Sequence, residues 1–87
     1  MPDWNVTFSR HFLTDVIATV KKHFPKTRPM KDAWVHKTGF RDHWEFHGPG
    51  DFYWHGHAAN AYEARAEGWC AWLHKNGIDD EPEKEEF

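Results

Sequence analysis

The sequence has little of what secreted, membrane-spanning and catalytic chains usually carry. Its 87 residues include a single cysteine, Cys70, so no disulfide can form within the chain, and no N-terminal run resembles a signal peptide. Both features are typical of a reducing compartment, and we expect a cytoplasmic protein. No stretch approaches the roughly 20 apolar residues needed to span a bilayer, so we expect no membrane segment.

Residues for nucleophilic catalysis are equally scarce. Ser9 is the only serine, and no elbow-like glycines surround it. Cys70 lies close to Trp69 and Trp72, and apolar surroundings hold a thiol in its unreactive protonated form. A general base would have to come from a pair such as His55 and Glu45, and a chain of this size offers little concavity for a substrate. The sequence therefore predicts no enzyme, no catalytic residue and no cofactor.

Aromatic and histidine side chains are abundant instead. The chain has six tryptophans, seven phenylalanines, two tyrosines and eight histidines. Residues 42–57, DHWEFHGPGDFYWHGH, alternate apolar with polar side chains on both sides of a Gly-Pro-Gly sequence, which predicts a β-hairpin. Its apolar face holds Trp44, Phe46, Phe52 and Trp54, and its opposite, titratable face holds His43, Glu45, Tyr53 and His55.

The loop of this hairpin decides which residues pair. A three-residue loop, Gly48-Pro49-Gly50, matches aromatic with aromatic, and Gly50 takes the left-handed conformation that ends such loops without penalty. The predicted cross-strand pairs are Trp44 with Trp54, Phe46 with Phe52, and His43 with His55. Glu45 and His57 then lie one diagonal step from the histidine pair.

Two helices and one more strand complete the predicted fold. Apolar residues recur with helical spacing from Phe8 to Phe24, so a first helix, capped by Asn5 or Thr7, ends before Pro25. Residues 32–37 predict a strand that leads through a Thr38-Gly39 turn into the hairpin. A second helix is expected from near Ala58 to Lys75, stopped by Asn76-Gly77. The predicted inward residues of this second helix are Ala58, Ala61, Tyr62, Arg65, Trp69, Trp72 and Leu73.

These elements predict an α+β, two-layer fold in the order α-β-β-β-α, a three-stranded antiparallel sheet flanked by an N-terminal and a C-terminal helix. Both helices are expected to cover one face of the sheet and to leave the histidine side in solvent. Residues 1–77 are expected to form one domain, and the acidic tail, 78–87, is expected to be mobile. Arg65 is expected to lie along aromatic rings while its guanidinium reaches Glu45 or Asp51.

Charge and histidine patterning leave several binding functions open. The net charge is −3, with a basic middle at Lys21, Lys22, Lys26, Arg28, Lys31 and Lys37 and an acidic tail. The basic cluster suits phosphates, but mixed charge is also what soluble surfaces carry. His43 and His55 are close enough to share an ion, yet their spacing matches no structural zinc signature, so no dedicated metal site is predicted and a metal-binding histidine face is the third alternative, after protein and nucleic-acid binding.

Surplus aromatics favour a protein partner. Trp, Tyr and Arg anchor protein interfaces, and Trp4, Tyr53 and Trp34 are the candidates for exposed anchors. The expected interaction face comprises His43, Glu45, Tyr53, His55, His57 and Trp4. Nucleic acid is the alternative partner, because a sheet face with aromatics and histidines near basic residues has the physics of a stacking platform. A two-fold homodimer through the outer strand edge or the histidine side would also cover surplus aromatics.

The segment FYWHGHAANAYEARAEGWCAWLHKNG, residues 52–77, resembles small proteins encoded by bacteriophages and prophages. The shared pattern is a strand that ends in an aromatic-Gly pair, followed by an Ala-rich helix with Gly-Trp and Ala-Trp-Leu. The resemblance implies a non-enzymatic accessory protein in the bacterial cytoplasm that binds and modulates or inhibits a host protein complex, an anti-CRISPR role being one form. The resemblance identifies no functional residues in this chain.

Overall fold

The computed structural model describes residues 4–78, with side chains from residue 12 onward. Its elements are helix α1 (Trp4–His23), strand β1 (Trp34–Lys37), strand β2 (His43–His47), a short 3-10 turn (Pro49–Asp51), strand β3 (Tyr53–His57) and helix α2 (Ala61–Lys75). The strands form one antiparallel sheet in the order β1-β2-β3. The predicted α+β fold is confirmed. Neither described helix has the length and apolar character that crossing a membrane requires.

Helix α1 ends as predicted but begins earlier. It stops at His23, two residues ahead of Pro25, with three basic residues in its last turn. It starts at Trp4, so Asn5 and Thr7 lie within the helix and the prediction that either caps it is wrong. Polar residues that favour caps are also tolerated inside helices, so they mark a helix start only where the helical pattern itself breaks.

Helix α2 begins three residues later than predicted. The side chain of Asn60 accepts a hydrogen bond from the backbone N–H of Glu63 at 3.0 Å, which makes Asn60 the N-cap. Ala58 is buried ahead of the helix, whereas Ala61 is exposed and does not belong to the buried stripe. The predicted stop is confirmed, because Gly77 has φ of 81° just after the helix.

The chain remains packed just beyond that stop. Ile78 lies against the core, although the predicted tail began at this residue, and its backbone N–H donates to the carbonyl of Leu73 at 2.9 Å. The rest of the predicted acidic tail, residues 79–87, lies outside the described residues. Position 78 therefore packs with the domain.

The hairpin has the predicted loop length but a different register. Gly48 N–H donates to the carbonyl of Phe52 at 2.8 Å, so the three-residue loop is Pro49–Asp51 and lies one residue further along the chain than predicted. Asp51 joins Gly50 in the left-handed region, with φ of 62° and 65°, and aspartate is one of the residues that tolerate it. The observed pairs are Trp44 with Gly56, Phe46 with Trp54, and His43 with His57.

A shift of two residues leaves every side chain on its predicted face. The ring of Trp54 lies across Gly56, where an added Cβ would come within 2.7 Å of Trp54 Cζ2. The glycine therefore leaves room for a neighbouring aromatic, and the missing side chain opposite Trp44 is covered by Trp54. Gly56 was the sequence signal that distinguished the true register from the predicted one.

The sheet is held to α2 by one close contact. Phe46 is fully buried, and its ring lies on the backbone of Gly68, where an added Cβ would come within 2.1 Å of Phe46 Cγ. Trp69 packs edge-on against Phe46 at 5.4 Å between ring centroids, and its indole N–H donates to the carbonyl of Pro29 at 3.1 Å. Helix α2 approaches all three strands closely, whereas the close backbone approaches of α1 are to α2.

Arg65 is placed differently from the prediction. Its guanidinium donates to the carbonyl of Ala33 at 3.0 Å, just ahead of β1, instead of reaching Glu45 or Asp51. Glu45 lies on the opposite side of the sheet from α2, so the sheet itself separates the two charges. The half-buried Arg65 thus ties α2 to the start of β1.

The Phe46–Gly68 contact gives a direct test of the packing. We expect Gly68→Ala to lower the free energy of unfolding by about 1–3 kcal/mol, because the added methyl displaces a fully buried ring. This loss outweighs the preference of helices for alanine over glycine, about 1 kcal/mol. Urea unfolding followed by circular dichroism measures it.

The matched control is Gly39→Ala, since nothing lies within 4 Å of a Cβ at Gly39. It should change the stability by less than about 0.5 kcal/mol. Equal effects of the two substitutions would contradict the contact.

Candidate binding face

The side of the sheet that faces away from α2 carries most of the histidines of the hairpin region. We call it the histidine face. Its side chains come from all three strands in register, and they are Trp34, His36, His43, Glu45, His47, Tyr53, His55 and His57. Among residues 4–78 no helix covers this face, because α2 packs on the side where Phe46 points.

The first row across the face is aromatic. Trp34 of β1 pairs with His47 of β2, and His47 pairs with Tyr53 of β3. The rings of Trp34 and His47 stack almost parallel, with 4.0 Å between centroids and 5° between planes, and Tyr53 meets His47 edge-on. Trp34 is 52% exposed and Tyr53 46% exposed, so both ends of the row are open to a partner.

The second row is centred on a carboxylate. Glu45 lies between His36 of β1 and His55 of β3. His36 Nε2 donates to Glu45 Oε1 at 2.5 Å, and the hydroxyl of Tyr53, from the row above, donates to Glu45 Oε2. Each carboxylate oxygen of Glu45 therefore accepts a hydrogen bond, and the two bonds fix the orientation of the side chain.

The third row is an imidazole cluster at the end nearest the β1–β2 turn. His43 pairs with His57 across the strands, and His43 Nε2 lies 3.2 Å from His55 Nδ1 on the diagonal. His57 Nδ1 donates to Asp42 Oδ1 at 2.7 Å, just before β2 begins. The two histidines predicted to face each other are therefore in contact, although their backbone positions are not directly paired.

Glu45 on the histidine face and Asp42, which precedes β2 beside it, remain ionised to lower pH than usual. A hydrogen bond from Tyr53 is the largest cause that lowers the pKa of Glu45, and the nearby histidines lower it further. The same bond raises the pKa of the Tyr53 hydroxyl. A hydrogen bond from His57 is the main cause of the lowered pKa of Asp42. The face therefore presents one carboxylate among imidazoles and two exposed aromatic rings, with a second carboxylate, Asp42, beside it.

Five of the six residues predicted for the interaction face come together as expected, namely His43, Glu45, Tyr53, His55 and His57. Trp4 is the first residue of α1, and its side chain lies outside the described part of the chain. Sequence reasoning missed His36 and His47. Strand alternation was a sufficient signal for His47, which follows His43 and Glu45 at even spacing, whereas His36 required the register across the β1–β2 turn.

Part of the predicted basic cluster gathers elsewhere. Lys21, Arg28 and Lys31 line a shallow depression together with Ile17, Pro29 and Met30, between α1 and the connector that follows it. Arg28 is paired within that connector, because Asp32 accepts from its backbone N–H at 2.8 Å and from its guanidinium. The basic residues of this depression come from α1 and the connector, and none belongs to the histidine face.

Comparisons with protein-family models, with curated proteins and with solved structures find no match to this chain. Function is therefore inferred from the histidine face itself.

The hydrogen bond between Tyr53 and Glu45 predicts a measurable pKa change. Tyr53→Phe removes the largest influence that lowers the pKa of Glu45, while the desolvation that raises it remains. We expect the pKa of Glu45 to rise, and carbon-detected NMR titration of its carboxyl follows it. Asp42 is an internal control in the same spectra, because its pKa depends on His57. An unchanged Glu45, or a parallel shift of Asp42, would contradict the assignment.

The same shifts predict how stability depends on pH. Asp42 and Glu45 have folded-state pKa values below the ordinary 3.8 and 4.5. Such groups stabilise the fold at pH values above the unfolded pKa, and this contribution is lost as the pH falls through the folded pKa. We expect the free energy of unfolding to fall as the pH drops below about 4. Asp42→Asn should reduce that slope in urea unfolding, and a slope equal to that of the wild type would contradict the role of Asp42.

Proposed function

We propose that this chain is a non-enzymatic binding protein whose histidine face docks on another protein. The observation that supports this proposal most directly is that Trp34 and Tyr53 are exposed at the two ends of one aromatic row. Phe12, Phe46, Trp69 and Trp72 are buried, whereas Phe40, in the turn between β1 and β2, is 62% exposed and lies outside this row. An exposed Trp and Tyr on an open sheet are what protein interfaces use as anchors.

The composition of the face supports a protein partner. Most of its side chains are rings, and the carboxylate at its centre, Glu45, and the neighbouring Asp42 already have hydrogen-bond partners within the chain. Docking therefore buries little unpaired charge, which is the main cost of covering polar surface. Imidazoles around the anchors provide donors and acceptors for a polar rim.

The resemblance of residues 52–77 to phage and prophage proteins supports a more specific form of the proposal. In that form the partner is a bacterial host protein complex in the cytoplasm, and docking modulates or inhibits it. An anti-defence activity such as CRISPR inhibition is one example. The face would then act by covering a functional surface of the host complex.

Nucleic acid is the second candidate, and one observation favours it. Trp34 stacks flat on His47, so a broad ring surface lies parallel to the sheet, as in platforms on which bases stack. Against it, Tyr53 of this row is hydrogen-bonded to the carboxylate of Glu45, whose negative charge repels phosphates. A labelled single-stranded oligonucleotide whose binding weakens steeply with salt would support this candidate.

The protein-binding proposal predicts a specific loss on removal of the anchors. The chain, carrying a tag without histidines, is used to capture partners from a nuclease-treated bacterial lysate. We expect one stoichiometric protein partner, and we expect Trp34→Ala or Tyr53→Ala to weaken its binding about tenfold or more, as at interface hot spots. Titration with the purified partner measures the affinity.

Met30→Ala is the matched control, because Met30 is 55% exposed but lies beside α1, away from the histidine face. It should leave the affinity unchanged, and thermal melts should show that all three variants remain folded. Capture that depends on nucleic acid, or equal losses in the Met30 variant, would contradict the proposal.

A further inference from the structure

The histidine face contains a cluster with the chemistry of a metal centre. His36 of β1 and Glu45 and His47 of β2 each offer one ligand atom, and these atoms lie within 4.8 Å of one another. We propose that His36, Glu45 and His47 form a binding site for a divalent transition-metal ion of the zinc class. This site is independent of whether the face also docks a protein.

The fold places these three side chains together. His36 and Glu45 are directly paired across β1 and β2, so their side chains stand next to each other on one face. His47 is two residues from Glu45 on the same strand and therefore points to the same side. Rigid strands, not loops, hold the three ligands, which is what a preorganised site needs.

Two nitrogen atoms of the cluster have no partner. His36 Nδ1 and His47 Nε2 are shielded from solvent and lack a hydrogen bond. Buried polar atoms are normally satisfied, and such exceptions call for an explanation. A bound cation explains His47 Nε2 directly, because a neutral imidazole nitrogen offers a lone pair. For His36 to bind the ion through Nε2, the proton that Nε2 donates to Glu45 has to move to Nδ1, which gives the other neutral form of the ring.

Neighbouring side chains hold the ligands in place. The hydroxyl of Tyr53 donates to Glu45 Oε2, which directs Oε1 at His36 Nε2, so an ion would bind between these two atoms in place of their hydrogen bond. The ring of Trp34 lies parallel on His47 at 4.0 Å and restricts its rotation. Contacts that orient a carboxylate or an imidazole are the usual support of a metal site.

Side-chain adjustment is needed to seat a small ion among ligand atoms that lie no more than 4.8 Å apart. In a tetrahedral zinc site the metal lies about 2.0–2.2 Å from nitrogen and oxygen ligands, which sets the ligand atoms about 3.3 Å apart. His36 Nε2 and Glu45 Oε1 are 2.5 Å apart, so they need to separate by about 0.8 Å, within the reach of side-chain rotation.

Donor chemistry selects the class of ion. Two imidazoles and one carboxylate suit zinc and related first-row metals, whereas calcium and magnesium prefer oxygen ligands only. Three protein ligands on an exposed face leave the fourth position open to water or to a donor atom of a partner.

The test titrates zinc chloride into the metal-free chain with any affinity tag removed, followed by calorimetry. We expect saturable binding of one ion per chain, and a weakening of about 10-fold or more in each of His36→Ala, His47→Ala and Glu45→Gln. Cobalt, used in a parallel titration, should give the visible absorption of a low-symmetry site. Metal-free melting curves check that each variant folds, and His36→Gln or His47→Gln replaces an alanine variant at the same position that does not.

His43→Ala and His55→Ala are the matched controls, since both histidines lie on the same face and are 3.2 Å apart through their ring nitrogens. They should change the affinity by less than about threefold. The proposal is overturned by an absence of saturable binding, by an unchanged affinity in Glu45→Gln, by equal losses in every histidine variant, or by a loss confined to His43 and His55, which would move the site to that pair.

Discussion

The contact of the Phe46 ring with the backbone of Gly68 is the constraint on which the rest of the structure depends. It brings α2 against the middle of the sheet and fixes which side of β2 is buried. Because side chains alternate along a strand, burial of Phe46 directs Glu45 and His47 to the opposite side. The same contact thus buries the core side of the sheet and leaves the histidine face on its other side. A larger residue at position 68 would push the helix from the sheet.

Small size explains why the core depends on rings. A domain of this length buries a limited fraction of its surface, and large aromatics supply much apolar area from few residues. Trp69 contacts both Phe46 and Trp72, and its indole also ties the connector to the core through Pro29. With these rings in the interior, exposure of Trp34 and Tyr53 on the opposite side of the sheet is a feature that packing alone does not account for.

The sequence predicted the elements, their order and the two faces of the hairpin, because these follow from periodicity and from turn residues. It did not predict the register. Moving the three-residue loop by one position shifts every pair by two, which preserves the faces and hence the apolar pattern on which the prediction was based. Gly56 indicates the true register, because it pairs with Trp44 and its missing side chain leaves room for the ring of Trp54. The position of His36 beside Glu45 depends on the β1–β2 pairing across a five-residue turn, and no local pattern specifies that pairing.

The open histidine face is the central claim, and the indole N–H resonances of a nitrogen-labelled chain test it most directly. Trp34 lies on that face, whereas the indole of Trp69 is buried and donates to Pro29 on the other side of the sheet. On addition of the captured partner, the Trp34 signal should shift or broaden while the Trp69 signal stays in place. A change at Trp69 with none at Trp34 would contradict the account and place the binding surface on the helical side.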